Sequence, residues 1–251
     1  MTGRSVEATM PFLEHLEELR RTLIYIFAAV FVGAMVCWVL SDRALTWLIA
    51  NTSGQAIFMK PQGAFMARLK VSLILGLLLM LPFVFYKVWA FVGPGLLDTE
   101  RKVILPGVIF SVLLFYAGVT FSYFALTPLM VKVLLGFGTA NLTSNIEIGF
   151  LLDLVFSMGL ACGLVFQLPL VTAFLTAINV VTPLFLRHYW RHAVVLIFVT
   201  AALLTPADPL SQILLAVPLL FLYVLSYIVS VVIYRGKKKP SEEGETDAAG
   251  D

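Results

Sequence analysis

Residues 103–131 read VILPGVIFSVLLFYAGVTFSYFALTPLMV and contain no charged side chain. About 20 apolar residues in an α-helix, each rising roughly 1.5 Å, already cross a hydrocarbon core of about 30 Å. The stretch is long enough to include the flanks of such a helix as well. It therefore predicts a transmembrane helix, and the rest of the chain repeats the pattern.

The composition of the whole chain agrees with a membrane protein. Of its 251 residues, 60% are hydrophobic and 13% are charged, and the mean hydropathy is +0.97. These values exclude a water-soluble globule of ordinary composition. The net charge is only +2 and the basic residues sit in short clusters, which argues against nucleic-acid binding. Cys37 and Cys162 fall inside apolar runs and indicate small buried side chains, not a disulfide framework or a zinc site.

Six apolar stretches predict an all-α polytopic membrane protein with six transmembrane helices. The fourth helix is expected to end near Asn179, with Pro183 in the following loop. A tight turn is expected at Thr205-Pro206-Ala207-Asp208-Pro209, and residues 193–204 before it offer only about 18 Å of helix. We therefore expect short fifth and sixth helices, the sixth interrupted by Pro218, in a shallow hairpin within a locally thinned membrane. The stretches are 22–40, 71–86 continuing toward 91, 103–131, 154–179, 193–204 and 210–234.

The basic residues cluster at alternate ends of these stretches, and such clusters remain in the cytoplasm. Both termini are therefore predicted to be cytoplasmic. Residues 1–21 are polar, so we expect the N-terminus to be retained. Residues 1–236 are predicted to form one transmembrane domain, and the charged residues 237–251 a disordered cytoplasmic tail. The clusters are Arg20 and Arg21; Arg101 and Lys102; Arg187 and Arg191; and Arg235 with Lys237, Lys238 and Lys239.

The first cytoplasmic segment carries an acidic patch. Residues 9–21, continuing to Leu23, predict a short amphipathic helix that lies on the cytoplasmic surface. Its polar face holds Glu14, Glu17 and Glu18. One interpretation is a solvated face with a Glu17–Arg21 ion pair, and the other is a patch that attracts an arginine-bearing partner.

A second acidic patch, Asp98-Thr99-Glu100, follows the predicted second helix. Its simplest role is helix capping, in which Thr99 is the N-cap and Glu100 lies in the first turn. Trp89 and Phe91, just before it, are expected interfacial anchors. A carboxylate binds guanidinium through two parallel hydrogen bonds, which lysine cannot reproduce. Two such carboxylates on one surface would distinguish Arg-Arg from Lys-Lys.

Other polar residues have simple alternatives. Gln167, near the middle of the fourth helix, predicts an interhelical hydrogen bond or a wet cavity. Asp208, beside Ser211 and Gln212, can cap the sixth helix. His188 and His192 are spaced as metal ligands without a nearby third, so we expect no metal site. We found no phosphate-binding loop, catalytic triad or haem motif, so the sequence predicts neither an enzyme nor a cofactor.

Several separated motifs, in order, resemble the TatC family of the twin-arginine protein translocase. The resemblance covers essentially the whole chain to about Tyr234. The motifs are His15-Leu16-Glu17-Glu18-Leu19-Arg20-Arg21, Trp89-Ala90-Phe91-Val92-Gly93-Pro94-Gly95-Leu96 with Glu100-Arg101, Leu114-Phe115-Tyr116-Ala117-Gly118, Tyr123-Phe124 before Pro128, and Leu204-Thr205-Pro206-Ala207-Asp208-Pro209-Leu210-Ser211-Gln212 running to Ala216-Val217-Pro218.

This resemblance implies a function and a site. Six helices would form a curved scaffold in the bacterial cytoplasmic (inner) membrane that binds Arg-Arg signal peptides of folded precursor proteins, with export driven by the proton-motive force. Glu18 and Glu100 would accept the two arginines, and Arg20 and Phe91 would support the same site. TatA-like and TatB-like single-span subunits would be partners, the latter near the fifth helix, with Asp208 and Gln212 in the adjoining loop. A homo-oligomer within a larger complex, surrounded by membrane lipid, is implied as well.

One departure concerns Gln167, where the family often has Glu. The amide keeps hydrogen bonding but loses the charge, so we do not transfer an ionised role to this position.

The alternative function is a small-solute or ion secondary transporter, which should place ionisable groups near the bilayer midplane. Gln167 is nearly the only polar candidate there.

Overall fold

The computed structural model describes residues 10–52, 57, 59–92, 104–136, 146–204 and 209–246. The chain divides into two compact units. Unit 1 comprises residues 1–112 and 145–152, and unit 2 comprises residues 113–144 and 153–251. Apart from one isolated bridge, the regular structure of the described residues is helical.

Unit 1 is built on two long helices. Helix α1 spans Met10–Cys37, a short helix α2 spans Ser41–Thr52, and α3 spans Gly63–Val92. The predicted surface helix is not separate from the first transmembrane helix, because α1 runs through both without a break. No proline follows Pro11 in this stretch, so nothing interrupts the hydrogen-bond ladder.

Helices α1 and α3 cross where both carry glycine. A Cβ on Gly33 would lie 2.9 Å from the carbonyl oxygen of Gly76, and a Cβ on Gly76 would collide with the backbone of Ala34. Only residues without a side chain allow the two backbones to approach this closely. The crossing holds α1 against α3.

Trp89 is a packed core residue of unit 1, which corrects its predicted role as an interfacial anchor. Its side chain is buried, and its indole Nε1 donates a 2.9 Å hydrogen bond to Ser111 Oγ on α4, the helix that spans Ile104–Phe121. Gly107 lies directly against the indole ring. A buried indole N–H needs such an acceptor, and Ser111 supplies it.

Unit 2 begins within α4, which passes through a π-helical turn into α5. This turn spans Ser122–Leu126, and α5 spans Thr127–Gly136. The remaining helices are α6 (Ile148–Val165, of which residues 153–165 belong to unit 2), α7 (Leu168–Ala177), α8 (Pro183–His188), α9 (Trp190–Leu204) and α10 (Pro209–Thr246).

The fourth predicted helix is divided into α6 and α7. It ends as expected, since Ala177 is the last residue of α7 and Asn179 has a left-handed backbone with φ 60°. Pro183, however, does not lie in a loop. It occupies the first turn of α8, where its missing N–H costs nothing, and Thr182 caps the helix by accepting from the Phe185 N–H.

Hydrogen bonds tie α10 to the other helices of unit 2. Gln212 Nε2 donates to Phe198 O on α9 at 3.0 Å, and Tyr223 OH donates to Leu186 O on α8 at 2.7 Å. Deeper in the unit, the buried hydroxyls of Thr176 on α7 and Ser230 are 2.9 Å apart.

The described helices confirm the all-α polytopic fold. Five apolar segments are long enough to cross a membrane: Glu14–Cys37, Gly63–Phe91, Leu105–Val133, Ile148–Ala177 and Gln212–Arg235. The fifth predicted helix, α9, is short as expected, with 15 residues. The sixth is longer than expected, because α10 continues through Pro218.

The end of α10 lies in the segment that the sequence predicts to be a disordered tail. The backbone of residues 237–246 continues the helix. The disordered tail and the domain boundary at residue 236 stay predictions.

Candidate functional site

The acidic patch on α1 contains two neighbouring carboxylates with different partners. The side chains of Glu17 and Glu18 are almost equally exposed, at 48% and 46%. Glu17 is bound by its own helix, since Arg20 Nη1 and Arg21 Nε each lie 3.5 Å from one of its two carboxylate oxygens. The predicted Glu17–Arg21 pair is therefore present, and each carboxylate oxygen of Glu17 already faces a guanidinium.

Glu18 faces a different group. Its Oε2 lies 3.7 Å from His15 Nδ1, one turn earlier on α1. This contact is an ion pair only when the imidazole is protonated. Glu18 therefore has no arginine or lysine partner in the described part of the chain. Of the two adjacent carboxylates, it is the one with capacity for an external guanidinium.

His15 connects Glu18 to the end of α3. The His15 imidazole stacks on the Phe91 ring, with centroids 4.3 Å apart and planes inclined by 14°. The glycine crossing of α1 and α3 makes this contact possible. The structure thus brings two predicted site residues, Glu18 and Phe91, together through His15. His15 belongs to the first sequence motif, but the sequence assigned it no role.

Arg20 and Glu100 are not joined to this cluster. Arg20 lies on the Glu17 side of α1, where it pairs with Glu17 and, among the described residues, makes no such contact with Glu18 or Phe91. Glu100 lies outside the described residues. Its role as the second acceptor stays a prediction.

Lys87 is a residue of this region that the sequence analysis missed. Its Nζ lies 5.0 Å from the Tyr25 ring centroid on α1 and 5.6 Å from the Phe83 centroid on α3. These distances place the ammonium group over two aromatic faces, which attract a cation. The sequence signal that could have identified Lys87 was its position as a single charge within the second apolar stretch.

Gln167 lies at the break between α6 and α7, where it is the N-cap residue of α7 without a side-chain capping bond. Its side chain is partly exposed. Pro169, in the first turn of α7, explains the break, because proline provides no N–H to continue the ladder from α6. The residue is thus part of a helix kink.

Gln212 closes the α9–α10 hairpin through its hydrogen bond to Phe198 O. The predicted capping residue beside it, Asp208, lies outside the described residues. The proposed role of this pair in assembly stays a prediction. In the described part of the chain, no three His, Cys, Asp or Glu side chains are grouped to bind a metal.

Comparisons with known proteins agree on one family. Residues 14–218 match the family model described as Sec-independent protein translocase protein (TatC). The TatC protein of Desulforapulum autotrophicum is 38% identical over 245 residues, which is 95% of this chain and 90% of that relative. The TatCy protein of Bacillus subtilis is 34% identical over 239 residues, covering 92% and 93% of the two chains. A solved structure, described as the crystal structure of the twin arginine translocase receptor TatC, superposes with a TM-score of 0.79 at 30% identity and covers 87% of this chain and 99% of that one.

Proposed function

This chain belongs to the TatC family of Sec-independent protein translocase proteins, and from this we propose that it is the receptor and core scaffold of a twin-arginine translocase. It is a multi-pass membrane protein. Its proposed location is the bacterial cytoplasmic membrane, and its proposed ligands are the Arg-Arg signal peptides of folded precursor proteins. It would act as a receptor and not as an enzyme.

One observation carries the proposal for the binding site. Glu17 is engaged by Arg20 and Arg21, whereas Glu18, within the described part of the chain, pairs only with the His15 imidazole beside Phe91. A free carboxylate accepts a guanidinium through two charge-assisted hydrogen bonds, and such hydrogen bonds are each worth about 1.5–3 kcal/mol. Glu18 is therefore our proposed acceptor for one signal-peptide arginine.

The other residues have supporting roles in the same proposal. Glu100 would accept the second arginine. Phe91 would hold His15, and through it Glu18, at the end of α3. Arg20 would act indirectly, since by neutralising Glu17 it leaves Glu18 as the preferred carboxylate of the patch.

Peptide binding to the purified full-length chain in detergent tests this proposal. A fluorescent signal peptide with Arg-Arg should bind more tightly than one with Lys-Lys. Glu18→Gln should lower the Arg-Arg affinity about tenfold and reduce the preference over Lys-Lys, because it removes the acceptor and keeps the shape.

Glu17→Gln is the matched control, because it removes the same charge from the adjacent, equally exposed position. Its affinity should stay within about twofold of the unmodified chain, since an exposed ion pair contributes little. Equal losses in both variants, or equal binding of the two peptides to the unmodified chain, would contradict the proposed role of Glu18.

Transport itself would need further parts. We propose that the proton-motive force drives export and that TatA-like and TatB-like subunits assemble beside the short helix α9, near Asp208 and Gln212. A second copy of the chain would belong to the same complex. The family comparisons support this translocase function and give no support to the small-solute transporter alternative.

A further inference from the structure

Unit 2 carries a group of basic side chains without nearby acidic residues in sequence. Residues 154–207 contain no Asp or Glu, and neither do residues 209–241. The first segment nevertheless contains Arg187 and Arg191, in α8 and α9. In the described part of the chain, Arg187 is exposed and makes no ion pair with a carboxylate.

Arg187 lines a cleft between the α8–α9 turn and α10. The cleft has a volume of about 200 Å³ and is lined by Leu186, Arg187, Trp190, Tyr223, Val224 and Tyr227. Its base is fixed, because Tyr223 OH donates to Leu186 O at 2.7 Å. A wider depression of about 610 Å³ is also lined by Arg187, together with Phe185 and His188. Arg187 thus lines both openings.

Aromatic rings are concentrated in the segment that carries Arg187 and Arg191. The guanidinium of Arg191 lies 5.7 Å from the Trp190 ring centroid, and Tyr189 packs against Phe185 with centroids 4.6 Å apart. Tryptophan and tyrosine concentrate where a transmembrane helix meets the lipid headgroups. The cleft therefore has the composition of a headgroup-level site, with an arginine at its mouth and apolar walls behind it.

We propose that this cleft binds the headgroup of an anionic phospholipid. The Arg187 guanidinium donates two parallel hydrogen bonds to the phosphate, a geometry that suits arginine. The Tyr227 hydroxyl is a further donor in the lining, and Leu186, Trp190 and Val224 contact the glycerol and the start of an acyl chain. Basic pockets between transmembrane helices on the cytoplasmic side bind acidic lipids in this way.

The apolar walls favour a lipid over a free phosphate ion. A small inorganic anion is satisfied by charge and hydrogen bonds alone and gains nothing from the Val224 side of the cleft. A phospholipid uses both parts, because its phosphate is joined to apolar groups. The site thus combines electrostatic attraction with apolar burial.

Native mass spectrometry of the full chain, released from detergent, measures this binding directly. Phosphatidylglycerol and phosphatidylcholine with identical acyl chains are titrated separately. The unmodified chain should retain phosphatidylglycerol preferentially, and Arg187→Gln should lower its affinity about tenfold. Arg43→Gln is the control, because Arg43 is also exposed but lies on α2 in unit 1, and it should leave retention unchanged. Circular dichroism verifies that each variant is folded.

Two further experiments test whether the lipid binds in this cleft and whether the ligand is a lipid or a free anion. Val224→Trp fills the cleft without changing charge and should abolish the preference, whereas persistence of the preference would overturn the assignment to this cleft. Excess inorganic phosphate should not displace the lipid, and displacement would instead indicate a free-anion site. Equal losses in Arg187→Gln and Arg43→Gln, or no preference between the two lipids, would overturn the proposal as well.

Discussion

The imidazole of His15 stacks on the ring of Phe91 at 4.3 Å, although the two residues lie on different helices and are far apart in the chain. This contact joins the acidic patch of α1 to the end of α3. It also gives Glu18 a neighbour that Glu17 lacks, since His15 Nδ1 lies 3.7 Å from Glu18. We therefore expect the orientation of the Glu18 side chain to depend on Phe91.

Phe91→Ala should lower the affinity for an Arg-Arg signal peptide by about two- to tenfold, because an aromatic pair contributes roughly 0.5–1.5 kcal/mol beyond its buried area. Phe91→Tyr keeps the ring and should bind as the unmodified chain does. Fluorescence anisotropy with purified variants measures the affinity. In a Glu18→Gln background, Phe91→Ala should have no additional effect, and fully additive losses would show that Phe91 does not act through Glu18.

Gly76→Ala should destabilise unit 1 by about 1–3 kcal/mol, because the added Cβ collides with the Ala34 backbone and pushes α1 away from α3. Unfolding in mixed micelles of increasing denaturing-detergent content measures the loss. Gly136→Ala is the matched control, since its Cβ would meet no atom within 4 Å. If the two variants were equally stable, the close crossing would not contribute as described.

Thr176→Val should lower the free energy of unfolding by about 0.6–2 kcal/mol, because it leaves the buried Ser230 hydroxyl without its 2.9 Å partner while keeping the side-chain shape. The free energy of unfolding is best measured in a double-mutant cycle with Ser230→Ala. The second substitution should cost less in the Thr176→Val background than alone. Strictly additive values would argue that the two hydroxyls do not interact.

Helix α9 should favour a thin bilayer, because its 15 residues span only about 22 Å. Thermal stability in phosphatidylcholine vesicles with 14-carbon chains should exceed that with 22-carbon chains. Inserting four leucines after Val199 lengthens the helix by about 6 Å and should shift this preference toward longer chains. The same insertion between Lys239 and Pro240, outside the apolar part of α10, should leave the preference unchanged.

The predicted orientation places Arg187 in the cytoplasm. In a variant whose buried native cysteines, Cys37 and Cys162, are replaced by alanine, Arg187→Cys should react with a membrane-impermeant maleimide only after the cells are opened. Met59→Cys should react in intact cells, because Met59 is 70% exposed in the predicted external connection between α2 and α3. Labelling in the reverse order would overturn the predicted topology.

The sequence alone determined the membrane class, the approximate spans and the short fifth helix. Each of these depends on local properties: apolar length, the absence of charge, and proline beside Asp208. The same local rules were wrong at Pro218, which lies inside α10, and at Pro183, which begins α8. Proline is tolerated at a helix start, and inside a membrane helix when neighbouring groups satisfy the freed carbonyl. The apolar pattern does not distinguish these positions from a helix end.

Only the tertiary structure joined the acidic patch of α1 to the end of α3. Helical spacing already predicts the Glu17–Arg21 pair, and the resemblance already points to Glu18 and Phe91, but neither places Glu18 beside Phe91. The two meet because Gly33 and Gly76 let α1 and α3 approach closely enough for His15, the neighbour of Glu18, to reach Phe91. Composition sets which segments enter the membrane, but a contact between distant helices depends on how their backbones cross.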